Sequence, residues 1–339
     1  MFLQSELAKR QLPPLTSREE MLSILAENMF GQTPKATNVR VEVTKELPKA
    51  LGGQAVWRKI SVSFDTPKGS FTFPADVLTP NGVPNPRLMI YCMFKKEHVD
   101  QFFPAEEMLS TGTALAMYNY QDITSDDGDF TNGLAAHFPR EQGNSVGKIG
   151  LWAFAGSRLL DALLQMGIDG GGHVGVAGHS RLGKTALWCG AQDTRFSFVY
   201  SNQSGAGGAS LARGKAEKGE RVADLVRNFP FWFCHNYANY SGKEEQMPFD
   251  QHMLLACVAP RLLYVGSAAE DLWAEPKGEF LGALAASEAY GEQGLQTPDR
   301  YPKAGELLHK GNVGYHMRHG THFFAREDWN SLLSFWHAK

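Results

Sequence analysis

Residues 174–187 read VGVAGHSRLGKTAL, a pattern typical of a buried strand, a tight glycine turn and the start of a helix. Two chemical signatures fit this one turn. Ser180 has the position of a hydrolase nucleophile, held on a sharp elbow with its hydroxyl exposed above a sheet. The alternative is the phosphate-binding loop G-x-x-x-x-G-K-[ST], whose backbone N–H groups hold phosphates. The residues that match this second pattern are Gly178, Gly183, Lys184 and Thr185.

The composition is that of an ordinary globular protein. Of the 339 residues, 43% are hydrophobic and 20% are charged, which excludes a disordered chain. The net charge of −3 argues against nucleic acid as a partner, because proteins that bind it usually carry a basic face. We expect one domain over residues 1–339, with a helix and edge strands in 1–80 and an insertion in 204–250. The oligomeric state is left open.

The sequence contains no segment typical of export or of membrane insertion. Residues 1–31 lack a charged stretch followed by an apolar core, and no run of eighteen apolar residues occurs. The cysteines lie in apolar runs without CxxC spacing, so we expect reduced core thiols rather than disulfides or a zinc site. They are Cys92, Cys189, Cys234 and Cys257. These features predict a cytoplasmic protein with no membrane partner, or a secreted one if a leader has been removed.

The apolar runs predict an α/β fold with a doubly wound, mostly parallel sheet between two helix layers. A capping box at residues 17–20 predicts an N-terminal helix. Antiparallel edge strands are predicted over Val39–Val43, Ala55–Phe64 and Gly69–Phe73. Buried strands are predicted over Leu88–Phe94, Ala114–Tyr118, His173–Ala177, Phe198–Ser201 and Leu262–Gly266. The helices between them are predicted over Trp152–Met166, Thr185–Ala191 and Gly278–Tyr290.

Residues 204–250 form the predicted insertion, because their composition changes from glycine-rich to charged to aromatic. We expect this segment to lie over the carboxyl edge of the sheet, where open α/β sheets bind their ligands. Phe231 and Phe233 are expected to fill the core rather than contact a ligand. Asp250 and His252 precede an apolar helix, and we expect them to form a structural hydrogen-bonded pair.

The surroundings of the turn favour the hydrolase interpretation. A phosphate-binding loop usually follows the first strand of its domain, and here the strand begins only at Val174. Asp271 follows the last predicted strand after a short spacer, as hydrolase acids do, and Glu270 beside it is a weaker candidate. The chain order Ser180, Asp271, His322 is that of an α/β-hydrolase catalytic triad.

These three residue types are what ester hydrolysis requires. A serine hydroxyl is a poor nucleophile until an imidazole removes its proton, and a carboxylate fixes the tautomer of that imidazole. His316 and His319 compete with His322 for the role of base, since all three lie in one histidine-rich segment. A metal site built from these histidines is less favoured, because no carboxylate or Cys ligand pattern accompanies them. We therefore expect no metal or organic cofactor.

The elbow from Gly178 to Lys184 resembles the Gly-Cys-Ser-Arg-x-Gly-Lys signature of the glucuronoyl esterases. These are carbohydrate esterases that cleave the ester between glucuronoxylan and lignin alcohols. The likeness extends over residues 85–335 and implies an α/β-hydrolase fold. It is carried by the segments 202–208, 247–252, 259–261 and 271–273.

The resemblance also implies roles for three residues near the serine. In the family, the arginine after the nucleophile helps to form the oxyanion hole, which gives this role to Arg181. Lys184 matches a lysine that contacts sugar hydroxyls, and Trp273 matches a tryptophan beside the sugar ring. The alternatives are a structural ion pair for Arg181 and plain core filling for Trp273.

Three features depart from the family pattern. Many members carry their catalytic Glu where this chain has Gln203, so the acid role falls to Asp271 and Gln203 is expected to contact the substrate. His179 stands where secreted members have a Cys that forms a disulfide near the catalytic histidine. Residues 315–329 look more like a broader bacterial group of esterases, some of them acetyl xylan esterases.

The sequence thus predicts a serine carbohydrate esterase that acts on a carboxylic ester of a plant-polysaccharide sugar. A glucuronate ester is the first expectation and an acetylated xylo-oligosaccharide the second, so the partner is a small or oligosaccharide ester. Two other interpretations stay open. In the first interpretation, the turn binds phosphate. In the second, the loss of the usual Glu marks an inactive relative that only binds carbohydrate.

Overall fold

A ten-stranded sheet forms the centre of the protein in the computed structural model, which describes residues 1–95, 99 and 101–339. Its strands are β1 (Thr37–Lys49), β2 (Ala55–Thr66), β3 (Gly69–Pro80), β4 (Arg87–Met93), β5 (Thr113–Asn119), β6 (Val174–His179), β7 (Phe198–Asn202), β8 (Leu262–Ala268), β9 (Glu306–Leu308) and β10 (Val313–Arg318). They lie side by side in the order β1-β2-β3-β5-β4-β6-β7-β8-β10-β9. The six central strands of this order, β5, β4, β6, β7, β8 and β10, run parallel to one another. The outer strands pair antiparallel, with β1, β2 and β3 on one side and β9 on the other.

Helices cover both faces of this sheet. The helices of the described chain are α1 (Phe2–Ala8), α2 (Arg18–Leu25), α3 (Ala50–Gly53), α4 (Ala105–Ser110), α5 (Tyr120–Ile123), α6 (Lys148–Gln165), α7 (Arg181–Gln192), α8 (Val222–Asn228), α9 (Gln251–Ala256), α10 (Pro276–Ala286) and α11 (Arg326–His337). Leu88 and Ile90 of β4 join one apolar core with α6, α7, α9 and α10, whereas Met89 and Tyr91 join a second core with α4 and α11. The predicted α/β fold with two helix layers is confirmed. In the described part of the chain, no helix is both long and apolar enough to traverse a bilayer.

The predicted strands and helices lie at the apolar runs, with longer bounds at most ends. Ser17 caps α2 as the capping box predicts, because its hydroxyl accepts from the backbone N–H of Glu20 at 3.2 Å. The apolar pattern does not predict α1, α3, α4, α5, α8, α11, β9 or β10. The strand β10 carries His316 and Arg318, both buried. An apolar pattern therefore does not detect this strand, because some of its buried residues are polar.

The segment 204–250 forms most of the connection between β7 and β8 and contains α8 with two short turns of 3₁₀ helix. Phe233 is buried in the core as predicted, whereas Phe231 is only half-buried. The cysteines of the chain are free and buried, as the absence of CxxC spacing predicts; they are Cys92, Cys189, Cys234 and Cys257.

The turn between β6 and α7 is strained and tightly packed. Ser180 adopts φ 57° and ψ −127°, a conformation that residues with a side chain rarely take and that costs about 1–3 kcal/mol. A Cβ at position 178 would lie 2.0 Å from the carbonyl oxygen of Leu182, so only Gly178 fits there. A Cβ on Gly183 would lie 3.0 Å from that of Ser204. Close packing of the elbow, rather than phosphate binding, therefore explains the glycines of this motif.

Candidate active site

A cavity of about 310 Å³ opens beside the elbow. Ser180 follows β6, Gln203 follows β7 and Asp271 comes shortly after β8. Because parallel strands end at one edge of a sheet, these residues meet at that edge. Every predicted site residue lines the cavity, namely Ser180, Arg181, Lys184, Gln203, Asp271, Trp273 and His322. The sequence did not single out its other lining residues, although all but Ala274 lie in the segment 204–250 that was predicted over this edge; they are Ser204, Gly205, Glu220, Phe229, Trp232 and Ala274.

A short hydrogen bond joins Asp271 to His322. The Nδ1 of His322 donates to the Oδ2 of Asp271 at 2.6 Å. Asp271 is buried, and its other oxygen accepts from the backbone N–H of Ala274 at 3.3 Å. With Nδ1 engaged, Nε2 is the nitrogen of His322 left for a nucleophile. Such a pair can orient an imidazole as a general base.

His179, the residue before Ser180, packs against His322. The centroids of the two imidazole rings are 4.5 Å apart. Its Nδ1 donates to the side-chain oxygen of Asn202 at 2.7 Å, and the backbone carbonyl of Asn202 accepts from the N–H of Ser180 at 2.9 Å. Burial lowers the pKa of His179 well below its usual value, so this ring is neutral beside His322. His179 and Asn202 thus connect the elbow to the histidine through buried contacts.

The other candidates of the sequence analysis lie away from the cavity wall. His316 is buried on β10, where its Nε2 donates to Asp328 at 2.7 Å, and His319 is exposed. Glu270 accepts from the backbone N–H of Gly320 rather than from a histidine. The three histidines therefore do not converge on a metal position, and within the described ranges no group of three metal-ligating side chains does.

Arg181 forms a structural ion pair and also lines the cavity. Its guanidinium pairs with Asp126 and lies over the ring of Trp232, 4.8 Å from the centroid. Asp126 accepts in addition from Nε1 of Trp232 at 2.7 Å and from the hydroxyl of Tyr120 at 3.1 Å. Asp126 and Arg181 are 55 residues apart, so no local pattern links them. The available signal was a loop rich in Asp and Gly.

The side chains of Lys184 and Thr185 are held by contacts within the protein rather than arranged as in a phosphate-binding loop. The Nζ of Lys184 donates to the carbonyl of Ser204 at 2.6 Å and lies 3.8 Å from the carboxylate of Glu220. Burial lowers the pKa of Lys184. The hydroxyl of Thr185 donates to the carbonyl of Arg181 at 3.1 Å, inside the helix. The phosphate-binding interpretation is therefore not supported by the contacts of these two side chains.

Trp273 and Gln203 differ in what they offer to a ligand. Trp273 is 51% exposed at the cavity rim, so it does not fill the core. Gln203 is 1% exposed, and its amide bonds twice to the backbone of Phe323. Its Oε1 accepts from the N–H and its Nε2 donates to the carbonyl, both at 3.1 Å. Both ends of the Gln203 amide therefore hold the backbone next to His322, and its contact with the substrate stays a prediction.

Asp250 and His252 have structural contacts, but they do not pair with each other as predicted. Asp250 accepts from the backbone N–H groups of Ala212 at 2.7 Å and Arg213 at 3.1 Å. The Nε2 of His252 bonds to the carbonyl of Pro13 at 2.9 Å. Neither side chain lines the active-site cavity.

Glu279 is a buried carboxyl next to the cavity wall. Its oxygens accept from the N–H of Gly205 at 3.0 Å and from the hydroxyl of Ser267 at 2.6 Å. Burial raises the pKa of Glu279 from 4.5 to about 7. The Glu279 carboxyl therefore binds its proton more tightly in the folded state than in the unfolded chain. As a result, the carboxyl destabilises the fold progressively as the pH rises through this range.

We expect Glu279→Gln to stabilise the protein at high pH, because the neutral amide removes a buried charge. The free energy of unfolding should rise by up to about 3 kcal/mol at pH 8, and by less than about 1 kcal/mol at pH 5. Urea unfolding of both proteins at the two pH values measures this difference. Exposed Glu292 is the control, since Glu292→Gln should change neither value. An equal gain at both pH values would contradict the assignment of the raised pKa to Glu279.

A strained serine between β6 and α7, with an Asp–His pair at the same sheet edge, defines a serine hydrolase of the α/β-hydrolase fold. A profile of the fungal glucuronyl esterases matches residues 60–294. The chain belongs to the glucuronyl esterase family. It is therefore a serine-type carboxylic ester hydrolase.

Individual relatives agree with this membership. A carbohydrate esterase from an unknown prokaryotic organism is 32% identical, over 94% of this chain and 83% of its own. The 4-O-methyl-glucuronoyl methylesterase of Podospora anserina is 32% identical over 54% of this chain, which spans only 42% of that enzyme. The solved structure of a glucuronoyl esterase from Solibacter usitatus superposes with a TM-score of 0.84 and 32% identity. That superposition covers 95% of this chain and 91% of the other.

Proposed function

We propose that the protein hydrolyses an ester of a glucuronate residue through an acyl-enzyme on Ser180. The observation that carries the proposal is the 2.6 Å bond between His322 and Asp271 in the cavity that Ser180 lines. The substrate class comes from the similar proteins of Solibacter usitatus and Podospora anserina, a glucuronoyl esterase and a 4-O-methyl-glucuronoyl methylesterase.

In the proposed reaction, the hydroxyl of Ser180 attacks the ester carbonyl carbon while Nε2 of His322 takes its proton. Asp271 holds the Nδ1–H of His322 and stabilises the imidazolium that forms. The imidazolium then gives its proton to the leaving alcohol. Water, activated by the same histidine, hydrolyses the acyl-enzyme, so that the products are the free uronic acid and the alcohol.

Arg181 is the proposed oxyanion donor, together with backbone N–H groups of the elbow. A preorganised donor of this kind contributes about 2.7–4 kcal/mol to the transition state. Asp126 and Trp232 support this role, because they fix the guanidinium before a substrate arrives. For the sugar, Lys184 offers an ammonium at the cavity wall and Trp273 a flat, exposed apolar face.

We expect the purified protein to hydrolyse benzyl glucuronate with a kcat/KM at least about tenfold above that for an aryl acetate. The reason is that Lys184 and Trp273 can bind the sugar ring, whereas an aryl acetate has no sugar ring for them to bind. Initial rates for both esters at several concentrations measure the ratio. As a control, Trp273→Ala should raise KM for the glucuronate ester only. Hydrolysis of the acetate alone would place the protein among acetylesterases, and hydrolysis of neither would overturn the proposal.

A further inference from the structure

A buried arginine holds the loop that carries His322. Arg318, the last residue of β10, donates to the backbone carbonyls of His319 at 2.6 Å and Thr321 at 3.0 Å. It also donates to the carbonyl of Phe323. These carbonyls lie on both sides of His322 in the chain. One guanidinium therefore fixes the main chain before and after the histidine.

Asp328 fixes the guanidinium in turn. The Nε of Arg318 donates to Oδ2 of Asp328 at 2.9 Å, and the two side chains are 5% and 0% exposed. Asp328 also accepts from Nε2 of His316 and from the backbone N–H of Ala325, each at 2.7 Å. A buried ion pair is tolerated only when its other hydrogen-bonding groups are satisfied, and the loop carbonyls satisfy those of Arg318.

Gln203, which follows β7, holds the same loop at Phe323. It bonds to both backbone groups of Phe323, and Arg318 bonds to the same carbonyl. Residues 319–323 belong to no helix or strand, and they include Gly320. A free loop of this kind pays a conformational entropy cost whenever it is ordered. The bonds from Arg318 and Gln203 order it in the folded protein before substrate binds.

We propose that Arg318 is a positioning residue, which keeps His322 in reach of Ser180 by fixing three carbonyls of residues 319–323. The inference rests on the proposed function in one respect, that His322 is the base. Lysine cannot replace arginine here, because its compact ammonium cannot span three carbonyls and Asp328 at once. A displacement of the base by about 1 Å is enough to cost about 10²-fold in rate.

Arg213 provides a matched control elsewhere in the fold. It is 4% exposed and lies 3.5 Å from the fully buried carboxylate of Asp250. Like Arg318, it donates to three backbone carbonyls, which belong to Glu245 (3.3 Å), Met247 (2.7 Å) and Phe249 (3.0 Å). None of these residues lines the active-site cavity. Arg213→Lys therefore imposes a similar structural loss without touching the loop of His322.

The experiment compares Arg318→Lys with Arg213→Lys and the wild type. We expect both variants to lower Tm, but only Arg318→Lys to lower kcat, by about 10- to 100-fold with little change in KM. The second readout is the rate at which an alkyl fluorophosphonate labels Ser180. Arg318→Lys should be labelled slowly but to the same final stoichiometry as the wild type, which shows that the loss is not due to unfolded protein.

Equal kcat values and labelling rates in Arg318→Lys and the wild type would overturn the proposal, and so would an equal loss of kcat in Arg213→Lys. If Arg318→Lys does not fold, Asp328→Asn tests the same contact, because it removes the charge that holds the guanidinium while keeping the shape of the side chain. The kcat ratio is measured on whichever ester the wild type hydrolyses, and labelling needs no substrate. A failure of the glucuronate assignment is thus distinguishable from a failure of the role of Arg318.

Discussion

Replacing Ser180 by alanine is expected to lower kcat for ester hydrolysis by about 10⁶-fold. Without the hydroxyl no acyl-enzyme forms, so water has to attack the ester directly, and the Asp271–His322 pair has no nucleophile to activate. The fold should persist, because alanine can occupy the same half-buried position with one atom fewer. The measurement is the single-turnover rate and kcat on benzyl glucuronate for both proteins, with Tm as the test of folding.

Ser157→Ala is the matched control for this substitution. Ser157 lies on α6, where its hydroxyl is 3.8 Å from the sulfur of Cys189, and it does not line the active-site cavity. Its loss should leave kcat unchanged. If Ser180→Ala instead kept kcat within about tenfold of the wild type, the nucleophile would be another group and the acyl-enzyme mechanism would be wrong.

The parts of the site that the sequence predicted are those with local or ordered signals. The elbow lies within one turn, where backbone packing requires Gly178 and Gly183 is tightly packed against its neighbours. Asp271 and His322 follow strands whose carboxyl ends meet at one edge, so their chain order was informative. The parallel sheet was predictable for a similar reason, because its buried strands are short apolar runs.

The parts that were missed depend on contacts between distant residues. Asp126 pairs with Arg181 across 55 residues, and no local pattern links the two residues. Arg318 was hidden because β10 buries its charge against Asp328, whereas sequence patterns treat charged residues as exposed. The role of Gln203 was only partly predictable from the sequence. Its position in the sequence indicated the cavity, but only the two bonds to Phe323 reveal that it holds the backbone.

Replacing Asp271 by asparagine is expected to lower kcat by about 10⁴-fold. An amide can retain a hydrogen bond to Nδ1 of His322, but it carries no charge to stabilise the imidazolium, and its NH₂ group favours the wrong tautomer. The loss should fall on kcat rather than KM, because His322 acts in the transition state. The pH profile of kcat, recorded for both proteins, measures the loss.

Glu270→Gln decides between the two neighbouring carboxyl groups. Glu270 is adjacent to Asp271, but it accepts from the backbone N–H of Gly320, so its charge is not directed at Nδ1 of His322. Glutamine can still accept that bond, and kcat should therefore stay within about tenfold of the wild type. A large loss in Glu270→Gln together with a small one in Asp271→Asn would transfer the acid role to Glu270. Similar large losses in both would mean that the packing of residues 270–271 against the loop of His322, rather than one carboxylate, orients the histidine.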